Sequence, residues 1–208
     1  MTIAFGAVTT IILCIRLLYK RFFSTKQRLG IDDWTILLAS PIGIPSIAMT
    51  IFGLTANGLG EDMWGLQPSS LVAFGLYFYI IEILYVLLMT IVKLSLSFFY
   101  LDIFPGQTAR RFLWATVAFH VAFGLSFVVS IIFQCSPISY QWTKHDFKTI
   151  PRPQGQCYNI NVAGWVNAAL TVISDIWLLA IPLTQIKQLN LHWKKKAAAG
   201  LMFMTGTM

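Results

Sequence analysis

The sequence predicts an all-α fold, a polytopic bundle of transmembrane helices. Hydrophobic residues make up 57% of the 208 residues and charged residues only 11%, far below the roughly one quarter typical of soluble domains. The mean hydropathy is +0.70. One apolar stretch, from Leu71 to Tyr100, outreaches a hydrocarbon core about 30 Å thick at about 1.5 Å per helical residue. These observations indicate an integral membrane protein.

The Leu71–Tyr100 stretch is interrupted by two ionisable residues, Glu82 and Lys93. They lie about three helical turns apart, so both project from nearly one face. That face also carries Tyr85, Met89, Ser97 and Tyr100. A charge at the bilayer centre costs at least about 2.5 kcal/mol, so this face is expected to be covered by other helices.

Five further apolar windows complete the prediction. Full spans are expected at about 2–19, 34–54, 71–100, 112–133 and 162–186, and a partial sixth span at 197–208. The last window reaches only about 18 Å, too short to cross. The sequence is therefore expected to form one transmembrane domain over 1–208 that is incomplete at its C-terminus.

The second span opens on GIDDW and contains two prolines. Asp32 or Asp33 is expected to cap its first turn, while Trp34 suits the membrane interface. Pro41 and Pro45 each remove a backbone hydrogen bond, so this helix is expected to be kinked or locally unwound. Such a break favours either a transport site or an ordinary membrane helix.

Polar residues also mark the fourth and fifth spans. His120 in the fourth is interpreted as a packing residue rather than a metal ligand, because no second metal-type residue lies a turn away. The fifth carries a stripe of Asn161, Gly164, Asn167, Thr171, Ser174 and Asp175. The predicted intramembrane network consists of Glu82, Tyr85, Lys93, His120, Asn167 and Asp175. Counted from the cytoplasmic ends, Lys93 and Asp175 differ in depth by only about 5 Å, which predicts an ion pair. The alternative is a Lys93 that snorkels and a protonated Asp175.

The longest loop, 134–161, contains Cys135 and Cys157. Orientation by charge places this loop outside the cell, where disulfides persist, so a Cys135–Cys157 bridge is predicted. Two unpaired thiols are the alternative. Cys14, in the first span, is interpreted as a small apolar packing residue.

The positive charge is distributed asymmetrically between the loops. The net charge of +7 is carried in short gaps between apolar runs, which argues against nucleic-acid binding. Assigning the first, third and fifth loops to the cytoplasm places there Arg16, Lys20, Arg21, Lys26, Arg28, Arg110, Arg111, Lys187, Lys194, Lys195 and Lys196. Only Lys144, Lys148 and Arg152 then lie outside. This arrangement predicts an extracellular N-terminus.

Six blocks, in order, resemble the fungal seven-helix "rhodopsin domain" membrane family, whose members include G-protein-coupled-receptor-like proteins, some with a CFEM-type extracellular domain. The blocks are LGIDDW, GLGEDMW, EILY followed by VKLSLSFFYLDIFP, FQCSPISYQW, NVAGWVNAALTVISDIWLLAIPL and LNLHWKKK. The resemblance implies a seven-helix bundle with its N-terminus outside. The sequence departs from the family pattern at Glu61 and Asp102, where basic residues are usual. Lys93 lies on the third span rather than the final helix, so no retinal is expected.

The leading functional hypothesis is a receptor-like sensor of extracellular cues. Its expected partners are the lipid bilayer, an extracellular ligand and a heterotrimeric G protein at the cytoplasmic loops, and no cofactor or metal is expected. A transporter of ions, protons or small molecules is the alternative, as is a truncated member without function. No HExxH, GxSxG or nucleotide-loop motif is present in the sequence, which argues against an enzyme.

Overall fold

The computed structural model describes residues 6, 11, 12, 15, 31–62, 65–104, 106–144, 146 and 154–188. Within these ranges, only the backbone is described at 31–33 and 183–188. The predicted partial sixth span at 197–208 and most of the first, including Cys14, lie outside the described residues. Within the described part, four helices are long and apolar enough to cross a membrane: Trp34–Asn57, Pro68–Ile103, Gln107–Ile132 and Ile160–Pro182. The chain is thus a mostly helical, multi-pass membrane protein.

Helix α1, Ile31–Ala48, corresponds to the predicted second span. Asp32 and Asp33 lie among the first described residues of this helix, and their predicted role as caps remains a prediction. The helix runs through Pro41 and Pro45 without a break. The helix departs from α-helical geometry only after both prolines, in a π-helical segment, Met49–Leu54.

The π-helical segment leads into a tight turn. A 3₁₀ turn, Thr55–Asn57, follows it, and Gly58 then adopts a left-handed backbone with φ of 100°. Gly53, inside the segment, faces the ring of Tyr77, where a Cβ would lie only 2.6 Å from ring carbons. The π-helical segment therefore packs closely against Tyr77 at Gly53.

Helix α2, Pro68–Ile103, is the central element of the bundle. Proline at its first turn costs no hydrogen bond, because the first N–H groups of a helix have no internal partner. Its 36 residues reach about 54 Å, so it projects beyond a bilayer core of about 30 Å. It packs against α1 on one side and α3 on another.

Helix α3, Gln107–Ile132, begins directly after Gly106, about one turn before the predicted start at 112. Arg110 and Arg111 therefore lie in its first turn and not in the preceding loop, because a helix continues past its apolar window wherever no breaker stops it. Gly124 of α3 lies against Thr90 of α2, where an added Cβ would come within 3.0 Å of the Thr90 Cβ. This glycine sets the close approach of the two helices.

We expect Gly124→Ala to destabilise the protein by about 2 kcal/mol relative to Gly164→Ala, because overpacking forces the helices apart. Gly164 is the matched control: its added Cβ would meet nothing within 4 Å, and both changes give the same gain in helix propensity. The measurement is thermal unfolding in detergent. Equal unfolding temperatures for the two variants would contradict the packing role.

The described part of the segment after α3 contains regular structure, although the sequence predicts only a loop. Strands β1, Cys135–Ser136, and β2, Gln156–Cys157, pair antiparallel, and a one-turn helix, α4, Tyr140–Thr143, lies between them. Cys135 stands opposite Cys157, and the two form a disulfide. Strands of two residues have no periodicity to recognise in a sequence.

The segment formed by β1, α4 and β2, called the outer segment because the sequence predicts it to lie outside the cell, packs on the N-terminal end of α2. The Trp142 backbone lies so close to Gly75 that a Cβ there would be 3.2 Å from the Trp142 Cα. The Trp142 ring also packs at 5.8 Å, between ring centroids, from Tyr79. Helix α5, Ile160–Gln188, then returns into the membrane with Pro182 inside it.

Candidate functional site

The site is built around an ion pair between α2 and α5. Lys93 Nζ lies 3.0 Å from Asp175 Oδ1 and donates a hydrogen bond of 3.1 Å to the carbonyl oxygen of Thr171. The Lys93 side chain is 9% exposed, whereas that of Asp175 is 52% exposed. The Lys93 side chain is thus buried between helices and paired with Asp175.

Helix α5 is joined to α3 by two further polar contacts next to the ion pair. His120, which is 2% exposed, has its Nδ1 3.4 Å from the Ser174 hydroxyl. Trp177 Nε1 donates a 3.0 Å hydrogen bond to the Thr116 hydroxyl. Sequence reasoning missed Trp177, although its position one turn after Ser174 was the available signal. Asp175 and its neighbours therefore link α5 to both α2 and α3.

A small cavity of about 20 Å³ lies beside the ion pair. Lys93, His120, Tyr85 and Asn167 line it, and these are four of the six predicted network residues. The volume suits one water molecule. His120 Nε2 is buried and has no hydrogen-bond partner among the described residues. Among those residues no group of three or more His, Cys, Asp or Glu could hold a metal ion.

A larger cleft of about 730 Å³ opens above this cavity, between α2, α3 and α5. Tyr85, Val86 and Asn167 line both spaces, which therefore adjoin. Glu82, the remaining network residue, lines the cleft, and its Oε2 is buried without a hydrogen-bond partner in the described part of the chain. The sequence predicts a bond from tyrosine, serine or water to Glu82; at Oε2 no tyrosine or serine supplies one.

Two tyrosines, of which Tyr158 lines the cleft, form hydrogen bonds to the C-terminal end of α3. Tyr79 donates a 3.4 Å hydrogen bond to the carbonyl oxygen of Ile132, and Tyr158 donates one of 3.1 Å to that of Ser130. Burial raises the pKa of the Tyr158 phenol, and the negative charge of Glu82 raises it further. Tyr158 therefore remains a hydrogen-bond donor at neutral pH. Sequence reasoning missed it, because it lies in the irregular loop.

The structure thus brings the six predicted network residues to one polar column, which runs from the outer loop to the ion pair. The disulfide lies above this column, whereas Trp34 lies away from it, 59% exposed on α1. A polar interior with an apolar outer surface defines a multi-pass helical membrane protein with an internal cleft.

Comparison with known proteins narrows this class to a family. The model of the fungal rhodopsin domain family matches residues 4–208, and the chain belongs to that family. It is 28% identical over 200 residues to a SAT4 family membrane protein of Emericella nidulans, an alignment that covers 88% of this chain and 49% of the relative. The chain thus spans about half the length of that relative. No solved structure matches it.

Proposed function

We propose that the protein is a receptor-like sensor of the plasma membrane, with its N-terminus outside and its ligand site in the outer cleft. The observation that supports this most is the position of the cleft: Gln134 and Tyr158 of the disulfide-linked loop line it, and it adjoins the small cavity that Lys93 lines. A ligand there would contact α2, α3 and α5 together.

The ion pair is the proposed switch. Lys93 connects α2 to α5 about 15 Å from the inner end of α2, so a ligand that separates the two helices changes their spacing on the cytoplasmic side. Two helix packings that differ by a few kcal/mol suffice for signalling to a G protein. The proposal involves neither a chromophore nor catalysis, since Lys93 Nζ is engaged by Asp175 and Thr171.

We expect Asp175→Asn to raise basal nucleotide exchange on a purified fungal heterotrimeric G protein by about tenfold, because loss of about 1.4 kcal/mol from the resting packing shifts the equilibrium by that factor. The measurement uses the full chain in nanodiscs and labelled non-hydrolysable GTP. Glu61→Gln, at an exposed position of the turn after α1, is the matched control. Exchange equal to that of empty nanodiscs for every variant would contradict the sensor function.

The proposed orientation has a separate test. In a Cys14→Ala background, Gln154→Cys should react with a membrane-impermeant maleimide on intact cells, whereas Gln107→Cys should react only after permeabilisation. Both glutamines are exposed, and they lie at opposite ends of α3, near the outer loop and at the inner end respectively. The reverse pattern would place the disulfide in the cytosol and overturn the orientation.

A proton or ion transporter is the second candidate, favoured by one observation. Glu82, His120 and the Lys93–Asp175 pair succeed one another along a single column between three helices. Chains of this kind form proton relays in pumps and transporters. Proteoliposomes loaded with a pH-sensitive dye distinguish the two functions: flux that Glu82→Gln abolishes supports transport, and flux equal to that of empty liposomes excludes it for protons.

A further inference from the structure

We infer that the outer cleft recognises an organic ammonium ion with an apolar tail. This inference rests on the proposed function in one respect, namely that the cleft is the ligand site. It adds the chemical class of the ligand. That class follows from the carboxyl group, the hydrogen-bond acceptors without donors and the aromatic rings that line the cleft.

The cleft presents acceptors that lack donors. Glu82 Oε2 and Gln134 Oε1 are both buried without a hydrogen-bond partner among the described residues, and both residues line this cleft. Buried polar atoms in native proteins are rarely left unpaired, so each of these two oxygens calls for a donor. A carboxylate bonds most strongly to a charged donor. A primary ammonium carries three N–H donors and the complementary charge.

Among the described residues, none that lines the cleft is a cation. No lysine, arginine or histidine is among its lining residues. Lys144, in the outer loop, acts on Glu82 only through its charge and does not bond to its buried Oε2. Glu82 is thus the only acidic residue among the described residues that line the cleft, and its carboxyl group can pair with a cation but not with a carboxylate or a phosphate.

The rest of the lining favours an organic cation over a metal ion. Tyr85, Phe127, Phe133 and Tyr158 bring aromatic rings to the cleft, and aromatic faces attract ammonium ions. Hard metal ions such as Ca²⁺ require about six or more oxygen ligands, whereas the cleft offers one carboxylate. Aliphatic residues such as Val129 and Ile160 supply the contact for an apolar tail. The volume of about 730 Å³ is that of a small-molecule site.

The test measures calorimetric binding of three probes of similar shape to the full chain in nanodiscs: phenethylammonium, 2-phenylethanol and 3-phenylpropanoate. Of the three probes, we expect only phenethylammonium to bind saturably, with more heat than its partition into empty nanodiscs produces. Glu82→Gln should weaken that binding at least about tenfold, since a hydrogen bond to a charged group is lost. Asp102→Asn, at an exposed carboxylate near the inner end of the same helix, should leave it unchanged.

Folding is separated from binding by Glu82→Asp, which keeps the charge and should bind more tightly than Glu82→Gln at equal yield of monodisperse protein. Binding of the alcohol as tight as that of the ammonium, unchanged binding in Glu82→Gln, or no saturable ammonium binding would each overturn the inference. The proposed function can fail separately from this inference. Ammonium binding without any nucleotide exchange on the G protein would support the ligand class and contradict the sensor function. Exchange driven by an uncharged ligand would support the sensor function and contradict the ligand class.

Discussion

Replacing Asp175 with asparagine is expected to lower the free energy of unfolding by about 3 kcal/mol, because it leaves the charge of Lys93 buried and unpaired. The effect should be asymmetric. Lys93→Met leaves the carboxylate of Asp175, whose side chain is 52% exposed whereas that of Lys93 is 9% exposed, so the loss should be smaller. The measurement is unfolding in detergent micelles, followed by tryptophan fluorescence.

Asp102→Asn provides the matched control for this experiment, since it removes an exposed carboxylate from α2 far from the pair. The charge swap Lys93→Asp with Asp175→Lys should recover part of the loss, as the two charges again face each other. Full recovery is not expected, because the hydrogen bond from Lys93 to the Thr171 carbonyl has no equivalent in the swapped pair. A swapped protein no more stable than Asp175→Asn would contradict the pairing.

The second large effect is expected at the disulfide. Replacing both Cys135 and Cys157 with serine should cost about 3 kcal/mol of stability, chiefly because the bridge restricts the unfolded chain over the 22 positions that separate the two cysteines. The outer segment should also lose its fixed position over the cleft, since its β1–β2 pair is too short to persist alone. Ligand affinity should fall together with stability.

Thiol counting gives an independent check of the bridge. The chain has three cysteines, so the denatured but unreduced protein should expose one reactive thiol, Cys14, and the reduced protein three. Cys14→Ser is the control: it should leave the unfolding temperature nearly unchanged and remove the single reactive thiol. Three reactive thiols before reduction would show that the bridge does not form.

These effects bear on how the protein is held together. Three polar contacts of α5 with its neighbours lie within one helical turn: Ser174 contacts α3, Asp175 contacts α2, and Trp177 contacts α3 again. Lipid tails are as apolar as leucine, so helices in a membrane are joined by packing and polar contacts rather than by the hydrophobic effect. Weakening these contacts should therefore both destabilise α5 and allow it to move.

Several predictions made from the sequence hold because a bilayer imposes simple rules. The multi-pass helical class and the family follow from apolar length and from ordered sequence blocks, and both are confirmed. The polar faces of α2 and α5 follow from a period of about 3.6 residues. The receptor function, the ligand and the extracellular N-terminus remain predictions, because a family match does not specify them.

Helical periodicity determines, from the sequence alone, on which face of its own helix each polar residue lies, and thereby that Glu82 and Lys93 share one face of α2. It does not determine how far one helix is shifted along another, and that shift decides whether Lys93 meets Asp175 or the membrane surface. Only the tertiary structure fixes it, through contacts such as Gly124 on Thr90 and Trp142 on Gly75. Helix packing also forms the outer cleft, in which Glu82 Oε2 has no hydrogen-bond partner among the described residues, because a cleft lies between packed helices and not on any one helix.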